Sequence, residues 1–280
     1  MKIVLAGAFG KLGSDILRAL VRCGHEVIAV DLVIRELPDI EGQFTPRKID
    51  ITDSSSLTGL CDGADAVITA VGLTGSSAAV TNYDIDYQGN LNLLEEAKRA
   101  GIKRFVYISV LKADGDPKVP MLHAKYLFEQ ELKKSGISYV IFRPTGYFYD
   151  IAKVFMPMIE KGEVTLLGKR PVHANVIDTS DLAVFILMHL QDENKIYDIG
   201  GTETYSYEEI ARMFFEAAGK PAVIKRAPKF LFTVLALLAK QKKNGKEAII
   251  KFSKWTLSEE MVAENKYGKL SFKEYIKNCY

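Results

Sequence analysis

Gly7, Gly10 and Gly13 stand at the spacing G-x-x-G-x-x-G, directly behind Met1–Leu5, a run of apolar and branched residues. A turn of this kind holds phosphate. Gly7 permits a tight reversal off a strand. Gly10 lets the backbone approach a pyrophosphate, because a Cβ there would collide with it, and Gly13 lets the next helix lie close on the strand. The helix N-terminus presents unpaired N–H groups and a partial positive charge to the phosphate oxygens. Phe9, Lys11 and Leu12 fill the rest of the turn and line the same approach. Asp31 follows eighteen residues after Gly13, at the distance where such folds place a carboxylate against an adenosine ribose. The alternative is a tight strand-to-helix turn that binds nothing.

These residues need strands and helices to aim them, and the chain supplies the pattern. Leu12, Ile16, Leu17, Leu20 and Val21 share one face at helical spacing, Gly24 stops that helix, and Glu26–Val30 reads as a second buried strand. Further strands are expected at 43–49, 65–71, 104–110 and 137–142. Thr52-Asp53-Ser54 caps a short helix before Leu57, one long helix covers 83–100, and another runs from about Pro120 to Lys134. Alternating strands and helices imply βαβ units and a parallel sheet, an α/β Rossmann-type doubly wound fold. Beyond Pro144 the rhythm changes: aromatics, Met and Pro mix over 145–161, and short strands are expected at 163–167, 174–176 and 195–199. Asp178–Asp181 caps a helix running to Leu190, and Ser206 with Glu209 forms a capping box. The expected division is a dinucleotide-binding domain over 1–146 and a small C-terminal α/β substrate lobe over 147–280, interleaved with the core.

Composition excludes several classes. The 280 residues carry a net charge of +2, with 48% hydrophobic and 26% charged side chains, an ordinary globular profile with no polyanion-binding signature. Three cysteines far apart in sequence suit reduced thiols in a cytoplasmic setting and give neither a metal pattern nor a disulfide framework. The N-terminus is a core strand rather than a cleavable leader. No apolar run reaches the ~18 residues a membrane span needs.

Several motifs together resemble the NmrA-like group of the atypical, extended short-chain dehydrogenase/reductases. They are the glycine turn 7–13, Lys48-Ile49-Asp50-Ile51-Thr52-Asp53, Tyr87–Ala97, Lys103–Ser109, His123-Ala124-Lys125, Phe142-Arg143-Pro144-Thr145-Gly146 and Val176–Ala183. The resemblance implies NAD(P) as cofactor. Asp50 and Ile51 would flank the adenine, Ala70, Val71 and Gly72 would line the cofactor, and Pro144 and Thr145 would lie near the nicotinamide carboxamide. For Asp50 a helix-leading cap is an equal reading. Asp31 favours NAD, whose ribose hydroxyls it accepts from, over NADP, whose 2′-phosphate it repels; Arg35 is the residue that would reverse that preference.

In the family a Tyr precedes the catalytic Lys by four residues, and a Ser ends the fifth strand. Here Lys125 and Ser109 are present, but the Tyr position is Met121, and a thioether donates no proton. Three readings follow. Lys125 acts as the acid/base itself; another tyrosine substitutes, among Tyr83, Tyr126, Tyr147 and Tyr149, with Tyr147 placed in the catalytic set; or the chain binds the dinucleotide without catalysis. His123 reads as a packing residue of the helix surface. The primary expectation is hydride transfer to or from a small carbonyl or activated alkene. The alternative is a non-catalytic redox sensor, or an assembly or regulatory protein, that holds the dinucleotide as a structural ligand.

Between Lys225 and Lys254 lie nine basic residues and one acid, around the apolar run Phe230–Ala239. Two readings stand for 225–254: a buried helix or subunit contact, and a peripheral contact with anionic lipid. Stacking aromatics do not alternate with these charges, so nucleic acid is not an expected partner. The sequence leaves the oligomeric state open.

Overall fold

The computed structural model describes residues 1–73, 79–168, 170–228, 230 and 246–280. In chain order it runs β1 (Lys2–Ala6), α1 (Lys11–Arg22), β2 (Glu26–Asp31), β3 (Thr45–Lys48), β4 (Ala66–Thr69), α2 (Asn90–Arg99), β5 (Arg104–Ile108), α3 (Pro120–Lys134), β6 (Ser138–Pro144), α4 (Phe148–Glu160), β7 (Val164–Leu167), β8 (His173–Ala174), α5 (Thr179–Met188), β9 (Lys195–Gly200), β10 (Tyr205–Ser206), α6 (Tyr207–Ala217), β11 (Ile224–Ala227), α7 (Lys246–Thr256), β12 (Asn265–Lys266) and α8 (Phe272–Lys277). Eight strands form one sheet in the order β12-β9-β6-β5-β4-β1-β2-β3. The pairs β1–β2, β2–β3, β1–β4, β4–β5, β5–β6 and β9–β12 are parallel. The strand order therefore reverses between β1 and β4. In a doubly wound sheet ligands collect at that switch point, outside the carboxyl ends of the strands.

Among the described residues the chain divides into two compact units. The first takes in Met1–Arg143 and Ala183–Tyr197, the second Pro144–Leu182 and Asp198–Tyr280. In the first, β1, β4 and β5 are apolar almost throughout and buried, as strands covered on both faces must be. Tyr107, Phe105, Phe128, Leu93 and Leu132 fill the space between β5, α2 and α3. The edge strand β3 is shorter than the 43–49 expected. Its four residues, Thr45-Pro46-Arg47-Lys48, are all exposed; a proline and two cations blunt an open sheet edge.

The helix expected over 83–100 is interrupted. Tyr83–Gly89 winds as a π-helix, and the regular α2 begins only at Asn90. The insertion turns Asp86 inward, where it is fully buried. Gly89 sits against Ile51, whose side chain an added Cβ would meet at 2.8 Å.

In the second unit, Tyr147 begins a helix that the mixed composition of 145–161 conceals. In α4, Phe148, Ala152, Phe155 and Ile159 are buried at helical spacing, with Pro157 within the last turn. Phe155 stacks on Phe214 of α6 at 5.6 Å, and Phe148 meets Phe272 of α8 at 4.7 Å. Asn175, fully buried, ties three loops together. Its Nδ2 donates to the carbonyls of Gly201 and Ala263, and its Oδ1 accepts from Ala263 N–H at 2.9 Å. Ser206 and Glu209 form the expected capping box at the head of α6. Apart from Phe230, the run Phe230–Ala239 lies outside the described residues. No helix among the described residues is long and apolar enough to cross a membrane.

Candidate functional site

The glycine turn is built by the residues around it. Gly7 has φ +77°, and a Cβ there would meet the Ala70–Val71 backbone at 3.0 Å, so glycine lets β1 and β4 end side by side. At Gly13 an added Cβ would lie 1.8 Å from the Gly7 carbonyl oxygen; helix-on-strand contact forbids any side chain. Gly10 differs, because a Cβ there meets only Gly7 O at 3.4 Å. Nothing in the chain itself requires glycine at position 10, and the open space above it fits an approaching phosphate. The amides of Gly7 and Ala8 donate to Val30 O, and Phe9 N–H donates to Asp31 Oδ2 at 3.0 Å. The first intrahelical bond of α1 is Ser14 N–H to Gly10 O at 2.9 Å, so the amides of Lys11, Leu12 and Gly13 open toward the turn.

Asp31 therefore does two things. It pins the glycine turn through Phe9, accepts weakly from Val33 N–H at 3.4 Å, and stays half-buried at the carboxyl end of β2. Asp50 is exposed and forms a local turn, accepting from Thr52 N–H and Oγ1 at 2.9 and 2.7 Å; the cap of the next turn is Asp53. Ile51 is buried in the apolar core.

At the end of β4, Ala70 N–H pairs with Ala6 O, and Gly72 makes room for a buried ion pair. A Cβ at Gly72 would fall 2.9 Å from Asp86 Oδ1 and 3.2 Å from Lys125 Nζ. Lys125 Nζ lies 3.1 Å from Asp86 Oδ1, donates to Ile108 O at 3.2 Å and sits 5.3 Å above the Tyr107 ring. The other Asp86 oxygen accepts from Asn82 Nδ2 at 2.9 Å and Leu73 N–H at 3.3 Å. Burial, and then the carboxylates of Asp86 and Glu129, push the Tyr107 phenol well above its ordinary range; its hydroxyl has no hydrogen-bond partner among the described residues. The structure thus brings Gly72 and Lys125 together and adds Asp86, which sequence reasoning missed. The family motif around Tyr87–Ala97 reaches that region, but the buried pair depends on the π-helical insertion, which leaves no periodic signal.

Ser109 ends β5 as expected, but its proton is committed: Oγ donates to Glu129 Oε1 at 2.6 Å. Glu129 is wholly buried and also accepts from Arg143 at 2.9 and 2.5 Å, with Lys133 Nζ at 3.6 Å. Met121 lies one helical turn before Lys125, on the same face of α3. His123 packs edge-on against Tyr83, the Tyr83 hydroxyl 3.0 Å from His123 Nδ1.

In the second unit, Thr145 is buried, its Oγ1 donating to Asn175 O at 2.8 Å and its N–H to Ile199 O at 3.1 Å. Pro144 closes β6, and Tyr147 caps α4 with its ring stacked on Tyr149 at 5.6 Å. Burial pushes the Tyr147 phenol well up. No group of histidine, cysteine and carboxylate side chains among the described residues has metal-binding geometry.

Residues 1–256 match the NmrA-like family. The chain is 27% identical over 233 residues, 81% of its length and 71% of the relative's, to photosystem II assembly factor Ycf39 of Synechocystis. It is 28% identical over 255 residues, 82% of its length and 61% of the relative's, to the chloroplastic divinyl chlorophyllide a 8-vinyl-reductase of Zea mays. The NADPH-dependent quinone oxidoreductase QOR2 of Escherichia coli, solved with NADPH, superposes with a TM-score of 0.72 at 19% identity, covering 99% of both chains. With its parallel sheet, glycine turn and switch point, the chain belongs to the NmrA-like family of NAD(P)-binding Rossmann folds.

Proposed function

We propose that this chain is an NAD(P)-dependent oxidoreductase that transfers hydride between the nicotinamide and a small carbonyl or activated alkene. The observation that carries this reading is the buried Lys125–Asp86 pair at the carboxyl end of β4, beside Gly72. A lysine held there by a carboxylate and a backbone carbonyl is oriented before any ligand arrives, which lowers the ordering cost of binding. The dinucleotide, when bound, supplies the hydride. Gly10 and the first amides of α1 hold the pyrophosphate, and Asp31 accepts from the adenosine ribose. Ala70, Val71 and Gly72 flank the cofactor. Lys125 takes the nicotinamide ribose and lends its positive charge, while Pro144 and Thr145 are assigned to the carboxamide. Asp50 and Ile51 are assigned to the adenine side. The negative charge of Asp31 supports NAD over NADP, since it would repel a 2′-phosphate. Three free cysteines support a reducing, cytoplasmic setting.

A second reading has its own support. Met121 donates no proton, Ser109 spends its proton on Glu129, and one relative is named as an assembly factor. On that reading the dinucleotide is a structural or sensing ligand, and 225–254 is a contact with a partner or an anionic lipid surface. Calorimetric titration with NADH and NADPH, followed by an acceptor panel, separates the two. Dinucleotide binding with turnover, lost in a folded Lys125→Ala variant, supports the oxidoreductase. Binding with no turnover of any acceptor supports the second reading, and binding of neither dinucleotide overturns both.

A further inference from the structure

The first unit holds a hydride-transfer site in which the hydroxyl donors are disabled, and this constrains the acceptor. Reduction of an isolated ketone leaves an alkoxide, about as basic as hydroxide, whose conjugate acid water has a pKa of ~15.7. Such an anion needs a proton delivered as it forms, commonly by a positioned acid that contributes about 10²–10⁴-fold. Met121 carries no proton to give. Ser109 Oγ donates its proton to Glu129 Oε1 at 2.6 Å, and Arg143 fixes that carboxylate with two bonds. Lys125 is a poor donor for a different reason. Deprotonation would leave the Asp86 carboxylate, fully buried, without its counter-charge, and a buried charge stripped of its partner is costly. Tyr147 stacks on Tyr149, and burial makes its phenol hold its proton more firmly than usual.

Resting on the hydride-transfer reading above, we propose that the acceptor class is one that keeps the transferred electron pair itself, specifically a p-quinone, and that isolated ketones and aldehydes are excluded. The step balances without a protein acid. The C–H bond at nicotinamide C4 breaks, its hydrogen and electron pair pass to a quinone oxygen, and an O–H bond forms there. The nicotinamide is oxidised, and the quinone is reduced to a hydroquinone monoanion. That phenolate, whose conjugate acid has a pKa of ~10, takes its second proton from water. The fixed charge of Lys125 favours the anion electrostatically as it forms and keeps its own proton.

The test compares p-benzoquinone with cyclohexanone as acceptors, using the preferred dinucleotide deuterated on either face of C4 and subtracting the protein-free rate. The expected result is quinone reduction with deuterium lost from one face only, a rate flat between about pH 6 and 9, and kcat/KM for cyclohexanone at least ~10³-fold lower, the scale of a missing general acid. Turnover of cyclohexanone within about tenfold of the quinone overturns the acceptor assignment and leaves hydride transfer standing. Dinucleotide bound with neither acceptor reduced overturns hydride transfer itself. Met121→Tyr adds a readout independent of turnover, since its phenol titrates by tyrosinate absorbance, and beside the Lys125 ammonium its midpoint should fall below the ordinary ~10. That variant should gain cyclohexanone reduction by about 10²-fold. A folded Met121→Tyr whose phenol titrates as expected, but which still leaves the ketone untouched, overturns the proposal.

Discussion

Two glycines of one turn carry opposite demands. Gly13→Ala drives a Cβ into the Gly7 carbonyl, where only backbone can yield, and should cost about 1–3 kcal/mol or more by overpacking. Gly10→Ala meets nothing closer than 3.4 Å and should change stability by less than about 1 kcal/mol, as caps and surfaces do, while weakening dinucleotide binding. Urea unfolding beside calorimetric titration checks both, and equal loss of stability in the two variants would remove the ligand argument from Gly10. The Lys125–Asp86 pair makes a second residue-scale prediction. Asp86→Ala strands an ammonium in a buried place and should cost about 3–5 kcal/mol. Adding Lys125→Met should recover part of that loss, so the double variant is more stable than the sum of the singles predicts. Gly7 and Gly13 were legible in the sequence because their reasons are local, a turn and a close packing written in adjacent residues. Asp86 was not, because its partner lies on another helix.

Elements are joined by similar groups nearer the surface. On α2, Arg99 grips Glu96 at 2.7 and 2.8 Å and reaches across to Asp62, while Cys61 N–H donates to Glu96 at 3.3 Å. The Arg99 hydrogen bonds hold the Glu96 carboxyl below its ordinary value, with the Cys61 amide assisting. A carboxyl depressed in the folded state adds stability that is present above its unfolded pKa, about 4.3, and disappears as pH falls through the folded value. Unfolding free energy should therefore decline below about pH 4.5, and Glu96→Gln should flatten that slope while lowering stability at pH 7. An unchanged acid slope in Glu96→Gln would sink the assignment. Among the elements, α3 was legible from residue to residue, because Pro120 opens it and buried Leu122, Phe128 and Leu132 repeat at helical spacing. The π-helical turn was invisible, since an apolar pattern of period near 3.6 does not reveal one extra residue per turn. In α4 the Met, Tyr and Pro of 145–161 blurred the period, although its four buried residues obey it.

At the scale of the whole chain, the two compact units give the cofactor assignment a spatial signature. A ligand that binds only the folded state stabilises it by RT ln(1 + [L]/Kd), about 2.7 kcal/mol at a hundredfold excess over Kd. Amides that exchange through local opening report where that energy is applied. With saturating dinucleotide, exchange should slow at Gly7–Gly13, at Val33 and at Val71–Leu73, where the glycine turn, the end of β2 and the end of β4 meet in the first unit. The second unit supplies the comparison. Gly201 N–H, bonded to Asn175 O at 2.7 Å, and Ala263 N–H, bonded to Asn175 Oδ1, belong to a frame already closed on itself, so their local exchange should not change. Slowing at Gly201 and Ala263 with none around Gly7–Gly13 would place the dinucleotide away from the switch point between β1 and β4. Lys125 and Asp86 would then be a buried structural pair, and the oxidoreductase reading built on them would fall.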